Sequence, residues 1–266
     1  SARIRGAPLQ ARSMTILTAF FFFTAFVYAL IGFGGGSTYN ALLVLADVDF
    51  RILPTISLLC NLIVVSGGVW HHSRAGNLSA RMVIPFIAAS IPMAWIGGMV
   101  TLSEQTFVML LGSTLLLTGA RLLFGLSQPI SEQPMPSHWV RWAIGLPIGA
   151  SLGLLSGMVG IGGGVFLAPI LYALHWGSVR NVAAAASLFI LVNAGAGILG
   201  QTVKLAAAQQ LDMLTGYLWL FPAVLVGGQI GSHLSALHMP EILIRRLTAV
   251  LIIYVSARLL LRGLVI

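Results

Sequence analysis

Eight apolar runs follow one another along this chain, each close to the roughly 20 residues a helix needs to cross a hydrocarbon core. They occupy positions 14–31, 52–70, 82–100, 106–124, 139–156, 182–200, 214–231 and 244–261. Two further apolar stretches, 37–46 and 165–174, are about half that length, which suits a half-helix or re-entrant segment. With hydrophobic residues at 58%, charged residues at 8% and a mean hydropathy of +0.98, too little polar surface remains to keep a folded body in water. The expectation is therefore an all-α integral membrane protein. A soluble enzyme, a nucleic-acid-binding module and a disordered scaffold are excluded.

A polar segment at 126–138, with Pro129, Ser131, Glu132, Pro134 and Pro136, divides the chain. It separates two expected membrane repeats, 14–125 and 139–266. Residues 1–13, with Arg3, Arg5 and Arg12, read as a polar leader or a remnant ahead of a native start at Met14. Gly32-Phe33-Gly34-Gly35-Gly36 recurs as Gly160-Ile161-Gly162-Gly163-Gly164, each time between an apolar run and a half-length stretch. Arg51 and Arg180 follow at nearly the same offset, and Ser57-Leu58 matches Ser187-Leu188. Ala94 with Gly98 and Gly227 with Gly231 are small residues four apart, the spacing that lets helix backbones approach closely. Glycine-interrupted segments at corresponding positions of two halves point to a transporter site between repeats.

Three successive glycines cost a helix about 1 kcal/mol each relative to alanine. In return, backbone N–H groups face a ligand with no Cβ in the way, and the following half-helix aims its partly positive N-terminus at the same point. Gly34, Gly35, Gly36, Gly162, Gly163 and Gly164 are therefore the expected backbone donors of an anion site, with Ser37, Ser57, Ser187 and Asn193 completing its shell. Thr38, Asn40, Thr55 and Asn61 lie nearby; such groups also serve ordinary helix packing. Arg51 and Arg180 would draw the anion into a vestibule or snorkel at the interface, and Asp47 and Asp49 stand ready to pair with Arg51. A dinucleotide fingerprint would need a strand before its glycines, and an intramembrane serine protease a different serine spacing.

Asp47, Asp49, Glu104, Glu132, Asp212 and Glu241 all fall in or beside loops, so no span carries a central carboxylate of the kind that marks a cation site or proton relay. No metal or cofactor is expected: Cys60 is the single cysteine, and His71, His72, His233 and His238 lack partners at ligand spacing. The net charge of +8 reflects arginines at the ends of apolar runs rather than a nucleic-acid surface. Counting eight spans puts Arg74, Arg81, Arg121, Arg141, Lys204, Arg258, Arg262 and the leader arginines on one side. Arg51, Arg180, Arg245 and Arg246 fall on the other, so both termini are expected in the cytoplasm. An even number of spans per half makes the repeats parallel; a half-helix that crosses as a full element makes them inverted.

With these motifs in order, the chain resembles the sulfite exporter TauE/SafE family, also called the toluene-sulfonate uptake permease family. The resemblance rests on the two glycine clusters with Pro169 after the second, on Thr55-Ile56-Ser57-Leu58 and Ala186-Ser187-Leu188, and on Gly76-Asn77 after a basic loop. Ala41 stands where the family often has proline, and Ala186 where it has threonine. The resemblance implies a multi-pass permease of the bacterial inner membrane for a small anion such as sulfite or an organosulfonate, with the lipid bilayer and the anion as its partners. It leaves direction, coupling ion and oligomeric state open. A passive anion channel and a membrane-embedded enzyme are the alternatives; the latter would have only Cys60 and loop histidines for chemistry.

Overall fold

The computed structural model describes residues 11–31, 34–124, 136–234 and 241–265. Gly32, Phe33, most of the 126–138 linker and His238 lie outside the described residues, as do the side chains of His233, Arg245 and Arg246. Among the described residues every regular element is helical: α1 (Ala11–Ile31), α2 (Gly36–Leu45), α3 (Leu53–Arg74), α4 (Ala80–Met99) and α5 (Glu104–Phe124) precede the linker. After it come α6 (His138–Val159), α7 (Gly164–Ala173), α8 (Val179–Ala207), a 3-10 helix (Leu211–Tyr217), α9 (Leu220–Leu234) and α10 (Glu241–Val265). The two half-length stretches are helices of 10 residues each.

Among the described residues, α3, α4, α6 and the segment Arg180–Ala207 of α8 are long and apolar enough to cross a membrane. The 3-10 helix and α9 together make a fifth candidate span. The apolar run 214–231, expected as one straight helix, is instead bent by 55° at this break. Pro222 explains the break, since it lacks the N–H that would bond back to Leu218 and its ring blocks continuation from the preceding turn. Elsewhere the ends follow local chemistry: Pro54 opens α3, and Ser178 Oγ accepts from Asn181 N at 3.3 Å to cap α8. Large apolar side chains such as Leu117, Leu199 and Val250 point outward at 61–63% exposure, a surface suited to lipid rather than water.

Glycine sets the helix packing. On α6, Gly145, Gly149, Gly153 and Gly157 form a ridge at four-residue spacing. A Cβ at any of them would strike α4 at Pro85, Phe86, Ser90 or Ala94, mostly at the backbone. Without side chains the two backbones touch along nearly their whole length. The pairs picked out by spacing serve the same purpose. Gly227 and Gly231 of α9 lie against Phe22 O and Phe26 O of α1, and Gly98 of α4 lies against Gly197 O of α8. α3 packs on α8, and α5 on α10.

The half-helices fold back on the helices before them. Tyr28 and Thr38 hydroxyls meet at 2.8 Å and the Phe21 and Tyr39 rings at 4.9 Å, joining α1 to α2. A Cβ at Gly163 would lie 3.4 Å from Leu152 O and 3.5 Å from Ser156 Cβ, which joins α7 to α6.

Candidate functional site

Each half-helix starts from a left-handed glycine. Gly35 (φ 81°, ψ 10°) precedes α2 and Gly163 (φ 74°, ψ −22°) precedes α7, neither with a side-chain cap. A side chain at either position would strain the backbone. Gly35 O accepts from Thr38 N at 2.9 Å and Tyr39 N at 3.0 Å. Gly163 O accepts from Phe166 N at 3.1 Å and Leu167 N at 3.2 Å. The first N–H groups of both helices are left without an intrahelical acceptor, at the partly positive end of each dipole.

The two glycine segments meet around one side chain, Asn61 of α3, which is fully buried. Its amide occupies the space that a Cβ at Gly34 or Gly36 would need, and a Cβ at Gly162 would come within 3.1 Å of its Nδ2. Asn61 Nδ2 donates to Ile161 O at 3.3 Å, and that carbonyl would lie 2.7 Å from a Cβ at Gly36. Asn61 is thus in contact with both segments, and the missing Cβ atoms make room for it.

Two other amides complete the seam. Asn40 of α2 donates from Nδ2 to Val159 O at 3.0 Å, and Gln201 of α8 from Nε2 to Gly157 O at 2.8 Å. Carbonyls at 157 and 159, in the last turn of α6, have lost their helical partners, and the α2 and α8 amides take them up. Asn40 Oδ1, Asn61 Oδ1 and Gln201 Oε1 remain buried without a hydrogen-bond partner, as do Thr55 Oγ1 and Ser156 Oγ. Orphaned buried polar atoms of this kind are costly in a packed core. An apolar groove of about 650 Å³, lined by Met14, Thr18, Phe22, Gly216, Trp219 and Ala223, lies against α1 and the bent pair, and its lining includes no residue of either glycine segment.

The remaining expected residues divide. Ser37 is buried in the first turn of α2, and Ser57 Oγ donates to Gly36 O at 3.0 Å, which ties α3 to the first segment. Gly164 packs against Ala186 O and Ile190 of α8. Ser187, one residue from Ala186, bonds its own helix through Ala183 O at 2.9 Å and faces Gly68, about two turns along α3 from Asn61. Asn193 likewise donates to Phe189 O of its own helix at 2.8 Å, with Oδ1 buried and unpartnered. Arg51 and Arg180 are exposed and lie outside this cluster. Arg51 is held by Asp49 through Nε–Oδ1 at 2.9 Å and Nη2–Oδ2 at 2.7 Å. Burial alone would raise the Asp49 carboxyl, but hydrogen bonds from the Arg51 side chain and backbone, with its charge, hold it below the ordinary carboxylate value.

Residues 17–259 match the family model described as sulfite exporter TauE/SafE. The chain belongs to the sulfite exporter TauE/SafE family. Among its relatives is a protein of Sinorhizobium fredii (strain NBRC 101917 / NGR234) named "Probable membrane transporter protein y4hK". It is 30% identical over 247 residues, covering 90% of this chain and 95% of the relative. No solved structure matches. This TauE/SafE chain is thus a multi-pass protein of a membrane-transporter family, and the glycine seam around Asn61 is its candidate substrate site. The sequence had offered Asn61 only as one polar side chain among several near the glycines. The signal for it was an amide in the middle of a membrane-length helix, and its partner across the fold, Ile161 O, is visible only in the structure.

Proposed function

We propose that this chain is a permease of the bacterial inner membrane. It moves a small anion, a sulfur-containing oxyanion or organosulfonate such as sulfite, by alternating access. The observation that carries the reading is the convergence of two left-handed glycine segments on the buried amide of Asn61, whose Nδ2 is a hydrogen-bond donor between them. The groups that meet there are backbone, hydroxyl and amide. They can donate to an anion in low dielectric without fixing a counter-charge that would trap it. Gly34 to Gly36, with Ser37 and Ser57 beside them, form one wall, and Gly162 to Gly164 the other. Ser187 and Asn193 line the α8 side as the substrate shifts. An anion entering the seam takes the place of the Asn61–Ile161 hydrogen bond and parts the two segments, which couples binding to movement of one half against the other.

Packing supports treating 14–125 and 139–266 as equivalent halves about the 126–138 linker. Exchanging α1–α5 for the five elements from α6 to α10 turns the α4–α6 contact into the α9–α1 contact. It likewise turns α4–α8 into α9–α3, and α2–α3 into α7–α8. In purified protein reconstituted into proteoliposomes, labelled sulfite is expected to enter saturably and to be displaced by a small organosulfonate. Linear, non-saturating conductance, or no flux of any sulfur oxyanion by folded protein, would overturn this function.

A further inference from the structure

The directions of the helices follow from residue pairs along their contacts. Phe22 meets Gly227 and Phe26 meets Gly231, so α1 and α9 run the same way; Val64 with Gly228 and Gly67 with Ser232 do the same for α3 and α9. Hence α1 and α3 run in one direction, and α2 between them returns the chain. Between the halves, Arg81 O accepts from Arg141 Nη1 at 3.1 Å while Ala94 meets Gly157, so α4 and α6 run together. Met82 lies beside Gly177 and Trp95 beside Gly200, so α8 runs with them and α7 returns the chain. Corresponding helices of the two halves run oppositely. Leu58 pairs with Gly197 and Gly68 with Ser187 across α3 and α8. Gln105 Nε2 donates to Gly263 O at 3.2 Å and Ser256 Oγ to Gly112 O at 2.8 Å across α5 and α10.

From these pairings we infer that the two halves traverse the membrane in inverted orientation, so that Arg51 and Arg180 stand at opposite mouths of the transport path and the Arg180 mouth gathers the anion. Arg51 lies just before α3, whereas Arg180 lies beside the start of α4, next to the far end of α3. The length of α3, 22 residues or about 33 Å, separates them. Counting only the eight long runs as spans had put both arginines on one side, because it left out the return through each half-helix.

The mouths differ in charge. Arg74, Arg81, Arg121 and Arg141 share the Arg180 end, with no acid whose side chain is described. Asp47, Asp49, Glu104 and Asp212 share the Arg51 end with Lys204 and Arg258, so acids there offset the cations, and Asp49 already neutralises Arg51. A funnel of one sign raises the local concentration of its counter-ion, and a neutralised one does not.

The side assignment stands by itself; the gathering role rests on the anion-permease reading. In a Cys60→Ala background, Asp47→Cys and Ala173→Cys are to be labelled with a membrane-impermeant thiol reagent in right-side-out and inside-out vesicles. Each should react from one side only, and from opposite sides; reaction of both from the same side overturns the inverted arrangement. Arg51→Cys and Arg180→Cys repeat the comparison should either first variant fail to fold, which labelling after solubilisation reveals. In proteoliposomes sorted by orientation, Arg180→Gln should raise KM for labelled sulfite about threefold or more from its own side, and Arg51→Gln should change it little from either. An unchanged KM in Arg180→Gln, or an equal rise from both sides, overturns the gathering role. Absence of wild-type flux with opposite-side labelling would instead count against the permease reading alone.

Discussion

Replacing Asn61 by alanine separates a packing role from a binding role. The substitution removes the Nδ2 hydrogen bond to Ile161 O and leaves that buried carbonyl without a donor, at a cost of about 1–3 kcal/mol. Losing the amide also opens a small void, worth about 1 kcal/mol at this size. Against this, the unpartnered Oδ1 disappears, which returns about 1–2 kcal/mol of unsatisfied burial. The net loss is about 0–3 kcal/mol, tolerable for a protein whose total stability is of order 5–15 kcal/mol. A hydrogen bond from a buried amide to a charged substrate is worth about 1.5–3 kcal/mol. Its loss should therefore raise KM for sulfite about 10- to 100-fold. The assay is saturable flux in proteoliposomes beside thermal unfolding in detergent. A lowered melting temperature with KM and maximal rate both unchanged would refute the reasoning and leave Asn61 as packing alone.

Glycine substitutions should divide by what a Cβ would meet. Gly157→Leu must push into Ala94 O and Gly98 N of α4, so loss of folded, monodisperse protein on size exclusion is expected. Gly195→Ala on α8 meets nothing within 4 Å and should be neutral or stabilising by up to about 1 kcal/mol in thermal unfolding. Asp49 has a depressed carboxyl pKa, so the pair with Arg51 contributes above the unfolded carboxylate value of about 4 and is lost as pH falls through the lower folded value. At this exposure it is worth no more than about 1 kcal/mol. Asp49→Asn should therefore lower the melting temperature slightly at pH 6, with the gap closing toward pH 3. Cys60 is fully buried, so thiol reagents should label it only after unfolding, and Cys60→Ala should transport normally; activity that survives the substitution weakens the membrane-enzyme alternative.

Much of the fold is legible from apolar run length and glycine alone. The run 52–70 becomes Leu53–Arg74 because Pro54 opens it, and the stretches 37–46 and 165–174 become ten-residue helices behind left-handed glycines. What length cannot convey is which helix packs on which. The Gly145–Gly149–Gly153–Gly157 ridge is visible in the sequence, but its partner α4 is chosen by shape across the fold, and helix direction depends on that choice. The bend before α9 depended on a proline placed where the flanking residues are as apolar as any span. At the site, matching across the halves favoured Ser187, which the structure turns to its own helix backbone. Asn61 has no such match, and its importance rests on a carbonyl a hundred positions away in sequence.

The most direct test of the two-segment anion site is equilibrium binding of labelled sulfite to purified protein carrying Gly36→Ala or Gly164→Ala. A methyl group at Gly36 enters the seam against Asn61 and Ile161 O, and one at Gly164 meets Ile190 and Ala186 O, so that the second segment must shift from α8. Both folded variants should bind sulfite at least about tenfold more weakly than wild type, a loss of about 1.4 kcal/mol. Wild-type affinity in both would contradict the site and place the anion elsewhere in the fold.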